Sequence, residues 1–202
     1  MKKLSLYFFA IIASFMISCN SNSKDKTISE NTIPIATRAQ DSLIKIKANP
    51  AKGFNFDYLL YLPKGLGNNK KVHLLVETNN TGGVNDSISF HEKKAIKAAA
   101  LSSVGNYASK KLSIPLLVPI FPRSETNWEN YTHALDRDTF LSEEEDIKRL
   151  DLQLIEMIED AKNQLAIQKI KLHEKYFIVG FSASGTFANR FSLLHPEKIK
   201  AT

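Results

Sequence analysis

Lys175-Tyr176-Phe177-Ile178-Val179-Gly180-Phe181-Ser182-Ala183-Ser184-Gly185 decides how the rest of the chain is read: an apolar strand runs into small residues around one serine. A serine hydroxyl is a poor nucleophile at neutral pH. A strand-to-helix elbow that holds its oxygen exposed, beside a base that takes its proton, is the arrangement that activates it. Gly180, Ser184 and Gly185 suit such an elbow, because the turn residue sits in strained backbone and small neighbours let strand and helix approach without collision. Ser182 is the candidate nucleophile. The Ala183 amide would be one donor to the oxyanion of a tetrahedral intermediate, with a second N–H from the loop after an earlier strand. The competing reading is an ordinary strand, turn and helix containing serines; the flanking pattern favours the elbow.

The elements before the elbow alternate. Phe54 to Leu62 runs apolar and aromatic before Pro63 and Gly65, as an early strand would. Lys71 to Thr78 holds Val72, Leu74, Leu75 and Val76, a buried strand, followed by the polar stretch Asn79-Asn80-Thr81-Gly82-Gly83. His91 to Lys111 has a helical look, and Ile114 to Phe121 is apolar and punctuated by Pro115 and Pro119. A long connection then carries Arg123, Trp128, Tyr131, His133, Asp136 and Arg137. Ser142 ahead of Glu143-Glu144-Glu145 predicts a capping box for the next helix. That helix has one apolar stripe, Ile147, Leu150, Leu154, Ile158, Ala161 and Leu165. After the strand ending at Gly180, a helix runs from Ala183 to about Leu194 and is closed by Pro196. Strands alternating with helices predict an α/β fold with a doubly wound, mostly parallel sheet.

The first residues carry a different signal. Lys2 and Lys3 precede the apolar run Leu4 to Ile17, then Ser18 and Cys19, as in an export signal. The run falls short of the roughly 20 residues of a comfortable membrane span. Cys19, the single cysteine, follows a small residue and resembles the lipobox of bacterial lipoproteins, where the thiol is lipidated and becomes residue one. An ordinary signal peptide with an incidental cysteine is the alternative. The organisation expected is a signal peptide over 1–18, a polar tether and lead-in over 19–50, and one domain over 51–202, folding from near Phe54. Lipid attachment would place an exported protein on a cell-envelope membrane without a spanning helix.

Composition narrows the function classes. With 43% hydrophobic residues the 150 or so residues after the tether can bury a real core. Removing Lys2 and Lys3 with the leader takes the 27 basic residues to 25 against 21 acidic ones, interspersed and without a basic block beside exposed aromatics. Nucleic acid is not an expected partner. No internal repeat, HExxH, cysteine cluster or phosphate-binding glycine pattern is present, so neither metal nor cofactor is expected. The run Glu143 to Asp146 reads as helix N-terminus chemistry rather than a calcium site. The Asn-x-Ser/Thr triplets at Asn79, Asn85 and Asn130 are read as coincidental.

From about Phe54 to Thr202 the elbow and the element order resemble the α/β-hydrolase superfamily, particularly secreted esterases of the polyhydroxybutyrate-depolymerase and feruloyl-esterase sort. The resemblance implies that Ser182 is the nucleophile, that Ala183 lies in the oxyanion hole, and that Asn80 or Thr81 supplies the second amide, although the HGGG pattern of lipases is missing. It also implies an Asp or Glu and then a His after the serine. Only twenty residues follow Ser182, and among them His195 and Glu197 are the candidates. His195 falls about 18 Å along the helix, too far to reach the serine. His73 and His173 precede strands and belong at the opposite sheet edge. His133 lies on the side where α/β sites form, with Asp136 and Asp138 nearby. It is read as an unorthodox base, as part of a packed loop wall, or, with Trp128 and Tyr131, as lining for the substrate pocket, the last being mildly favoured. A further strand is expected near Lys200-Ala201-Thr202. The missing acid and histidine predict either a piece of a longer protein, the favoured reading, or a truncated gene. The function expected is a membrane-anchored serine carboxylesterase acting on extracellular esters through an acyl-enzyme. The alternative is a non-catalytic lipoprotein whose degenerate hydrolase scaffold binds a glycan or a protein.

Overall fold

Short apolar runs, too brief for helices, pair into one six-stranded sheet: β1 (Ser42–Ile46), β2 (Tyr58–Leu62), β3 (Leu75–Glu77), β4 (Leu116–Pro119), β5 (Tyr176–Val179) and β6 (Ile199–Ala201). The computed structural model describes residues 40–67 and 70–202. The expected signal peptide, the expected lipidation at Cys19 and the expected tether as far as residue 39 lie outside the described residues. The strand order is β1-β2-β4-β3-β5-β6. β2 runs antiparallel to both β1 and β4, while β4, β3, β5 and β6 are mutually parallel. This is the mixed, mostly parallel α/β sheet, with helices on both faces, that the sequence predicts.

Strand alternation sends side chains to two faces, and each face acquires its own helices. Tyr58, Leu60, Leu62, Leu74, Val76, Leu117 and Ile178 point to one side, where α4 (Leu150–Ile167) and α5 (Ala183–Leu194) cover them. Leu59, Tyr61, Leu75, Leu116 and Val118 point to the other, beneath α1 (Ile88–Ala100) and its neighbour α2 (Val104–Leu112). The expected stripe on α4 is buried, with Leu150, Leu154, Ile158, Ala161 and Leu165 fully inaccessible. The expected strand at the chain's last residues is β6, parallel to β5.

Four expectations need correction. The domain does not begin at 51: β1 pairs with β2 over five residues, and Lys45 on it is held by Glu92 at 2.6 Å and Asp57 at 3.1 Å. The helix expected over His91 to Lys111 is two helices, because the Ser103 side chain accepts from the Asn106 N–H and starts α2 afresh. The strand expected over Lys71 to Thr78 narrows to β3, with Val72 making only an isolated bridge to Leu172. Ser142 does not cap α4. Its Oγ accepts from the Glu144 N–H and follows the short α3 (Arg137–Leu141), while α4 begins at Leu150 after Arg149, which is left-handed at φ 49°.

Charge, not a capping box, fixes that start. Arg149 donates to the fully buried Asp151 from Nε (2.9 Å) and Nη2 (2.8 Å). His195, at the far end of α5, brings Nε2 to 2.9 Å from the same carboxylate, so one buried charge ties α4 to α5. Burial would raise the Asp151 pKa, yet the hydrogen bonds from Arg149 and His195 together hold it below the usual carboxylate value. A depressed carboxyl stabilises the fold above its unfolded pKa, and that contribution is lost as pH falls through the folded value. Asp151→Ala is therefore expected to lower the unfolding free energy by about 2–3 kcal/mol at neutral pH, Arg149 being partly exposed. Urea unfolding of the two proteins checks this, and their difference should shrink as the solution is acidified.

Candidate active site

β5 ends at Val179 and α5 begins at Ala183, so the chain must reverse within three residues. Gly180 makes this possible: a Cβ there would stand 2.2 Å from the Ser184 carbonyl oxygen, inside any permitted contact. The reversal drives Ser182 to φ 57°, ψ −122°, a conformation non-glycine residues avoid and that functional turns retain. Its side chain is exposed while Ala183 and Ser184 behind it are buried. Ser184 closes the turn internally, its Oγ accepting from the Phe181 N–H at 2.9 Å and donating to the Phe181 carbonyl at 3.0 Å. The Ala183 N–H is among the first of α5 and has no intrahelical acceptor, at the end of the helix favourable to developing negative charge.

The loop after β3 is clasped to this elbow. Asn80 Nδ2 donates to the Phe181 carbonyl at 2.9 Å, and Thr78 Oγ1 to the Ser184 carbonyl at 3.3 Å. Within the loop, the Asn80 carbonyl side-chain oxygen accepts from the Gly82 N–H, and the Thr81 hydroxyl donates to the Gly83 carbonyl at 2.6 Å. Asn79, fully buried, pairs both ends of its amide with the backbone of Phe121 beyond β4. The C-terminal ends of β3, β4 and β5 thus carry one connected polar network, bringing Asn80 and the elbow of Ser182 and Ala183 together.

The other predicted residues are placed differently. His133 is fully buried and does not open to solvent beside Ser182; its Nε2–H donates to the Phe121 carbonyl at 2.9 Å, which leaves Nδ1 unprotonated. Burial pushes its pKa down to about 4. It packs edge-on against His91 and serves the wall between Asn79 and the Thr132–Ala134 turn. Tyr131 lies under the Arg123 guanidinium at 3.7 Å, and Trp128 projects into solvent. Among the described residues none of the five histidines hydrogen-bonds Ser182: His73 stacks on His173 at the opposite sheet edge, His91 contacts the Asn85 carbonyl, and His195 is held by Asp151. No group of three or more His, Cys, Asp or Glu among the described residues could hold a metal.

Sequence reasoning passes over Glu77. It is the last residue of β3 and 94% buried, yet it borders a cavity of about 250 Å3 beside the elbow, with Asn80, Ser103, Val104, Phe181 and Ser184. The signal available was an acid directly after the apolar run Leu74 to Val76. A larger cavity of about 390 Å3 lies away from the elbow, between Leu135, Phe140, Arg190 and Leu194.

No protein-family model matches the chain, and no curated protein matches its sequence. Similar folds occur among solved structures. A thermostable esterase is 19% identical with TM-score 0.45, covering 80% of this chain and 40% of that one. Poly(aspartic acid) hydrolase-1 from Sphingomonas sp. KT-1 is 13% identical with TM-score 0.46, covering 80% and 55%. An S-formylglutathione hydrolase from Agrobacterium tumefaciens is 15% identical with TM-score 0.48, covering 86% and 60%. The chain therefore spans 40–60% of the length of these structures.

Two measurements test the geometry. Gly180→Ala should cost about 2 kcal/mol or more, since a backbone carbonyl must move to admit the methyl group, and denaturant unfolding reads the loss. For His133, an NMR titration should find the imidazole neutral at pH 6. A depressed histidine stabilises the fold above its unfolded value near 6.5, and on the order of 3 kcal/mol is lost as pH falls toward 4.

Proposed function

We propose that this chain carries the nucleophile half of a serine hydrolase, a carboxylesterase that forms an acyl-enzyme on Ser182. The observation that carries the reading is the exposed Ser182 at φ 57°, ψ −122°, between a buried parallel strand and a helix N-terminus. A serine held this way presents its oxygen to an incoming acyl carbon with little reorganisation. The Ala183 amide and an amide of the loop at Asn80 or Thr81 receive the oxyanion, and the Asn80 bond to Phe181 supports their proximity. The general base and its acid partner are proposed to come from sequence beyond residue 202, since the described histidines bond elsewhere. The same proposal places the protein outside the cytoplasm, anchored through a lipid on Cys19 and acting on extracellular esters.

The lack of a histidine bonded to Ser182 favours a second reading, a scaffold that binds a glycan or protein without turnover. Labelling with a fluorophosphonate separates the two. The hydrolase reading expects covalent labelling of the folded protein with its complete C-terminal sequence, lost in Ser182→Ala. In that protein the substitution should lower kcat/KM on p-nitrophenyl acetate by about 10⁴-fold or more. A folded, complete protein that takes no label would overturn it.

A further inference from the structure

We propose that the cavity beside the elbow is a subsite for a primary ammonium group, held by the Glu77 carboxylate. As a statement about substrate, it rests on Ser182 being the nucleophile and narrows the class to esters that carry an amine on the acyl or alcohol part. Glu77 ends β3 on the α1–α2 side of the sheet, in register with Val179 of β5, the residue before Gly180. Its Oε2 is occupied: the Ser103 hydroxyl and the Gly105 N–H, at 3.0 Å, both donate to it. Gly105 is required for that approach, because a Cβ there would lie 2.3 Å from Oε2. The second oxygen, Oε1, has no donor among the described residues, and Glu77 borders the cavity whose other walls include Phe181 and Ser184 of the elbow.

The chemistry of this opening favours a cation. Among the described residues no lysine, arginine or histidine pairs with Glu77, whereas the two other buried acids, Asp151 and Asp160, are paired with Arg149 and Lys52. Burial raises the Glu77 pKa against the two hydrogen bonds that lower it, so the carboxylate is short of compensating charge. A bound ammonium supplies both the charge and the missing donor to Oε1, and charge-assisted bonds are the stronger kind. Val104, Ala98 and Phe181 give the apolar wall that an alkyl chain behind the ammonium would need. A divalent metal ion is a poorer match, since it requires several oxygen ligands and one carboxylate is present.

Titrating the full chain with propylammonium, propan-1-ol and propionate, followed by amide chemical shifts, tests this without turnover. Propylammonium should saturate shifts of Glu77, Gly105 and Phe181 and bind about tenfold more tightly than the isosteric alcohol, with propionate weakest. Glu77→Gln, which keeps an oxygen for the Gly105 N–H, should abolish that preference. Ser102→Trp fills the exposed mouth with Glu77 intact and should abolish binding itself, so the test survives if the first variant does not fold. Equal affinity for amine and alcohol, or a preference that persists in both variants, overturns the proposal. Fluorophosphonate labelling is read separately. Labelled protein without amine preference overturns the subsite alone, and amine preference in unlabelled protein supports the subsite while removing the esterase reading.

Discussion

The approach of the Gly180 backbone to the Ser184 carbonyl is the constraint from which the site follows. β5 lies inside the sheet, between β3 and β6, and α5 must return along the face that buries Phe187 and Phe191. Only a reversal completed across Gly180, Phe181 and Ser182 satisfies both demands, and it leaves no room for a side chain at 180. The strain then falls on Ser182, which is exposed together with Phe181 while Ala183 and Ser184 turn inward. A backbone strain of this kind costs about 1–3 kcal/mol. Fully burying two phenylalanines recovers about 1.5–3 kcal/mol each, so the packing of α5 is sufficient to hold the turn.

Around the elbow, the loops are held by side-chain bonds to main chain rather than by apolar burial. Asn79 grips Phe121, Asn80 grips Phe181, and Thr78 grips Ser184. Each of these side chains spans more than thirty residues of sequence to reach a carbonyl, so the network fixes three strand ends relative to one another. His133 belongs to the same system: a neutral imidazole donating to the carbonyl that Asn79 also uses. Its role is to complete the wall behind the site. Protonating it would place a second charge-bearing donor in a pocket already crowded by His91 and Arg123, which agrees with its low pKa.

The sequence made some of this legible and concealed the rest for physical reasons. β5, α4 and α5 could be read because long periodic apolar patterns are dominated by burial, which acts the same way in any context. β1 could not: in Ser42-Leu43-Ile44-Lys45-Ile46 every residue is only half-buried at the sheet edge, and the sequence before it is polar. The start of α4 was misplaced because Ser142 and its glutamates mimic a cap, whereas Arg149 and Asp151 decide the matter through a partner, His195, more than forty residues on. Connectivity places His133 after the C-terminal end of β4, but its burial depends on Asn79 and His91 closing over it. Glu77 was passed over because an acid at a strand end ordinarily faces water; here α2 arrives through Gly105 and covers it.

That last arrangement separates two uses of a helix N-terminus within one site. α5 begins directly behind Ser182, with its amides turned toward the position where an oxyanion would form. α2 begins behind Glu77, and its Gly105 amide is already taken by a carboxylate. The first terminus is left open, and the second is filled by the carboxyl group of Glu77. A carboxylate beside the elbow disfavours other negative charge on its side of the cleft. The position of one buried acid thus sets the charge of the cavity wall beside Ser182, which is the ground on which the proposed ammonium subsite rests.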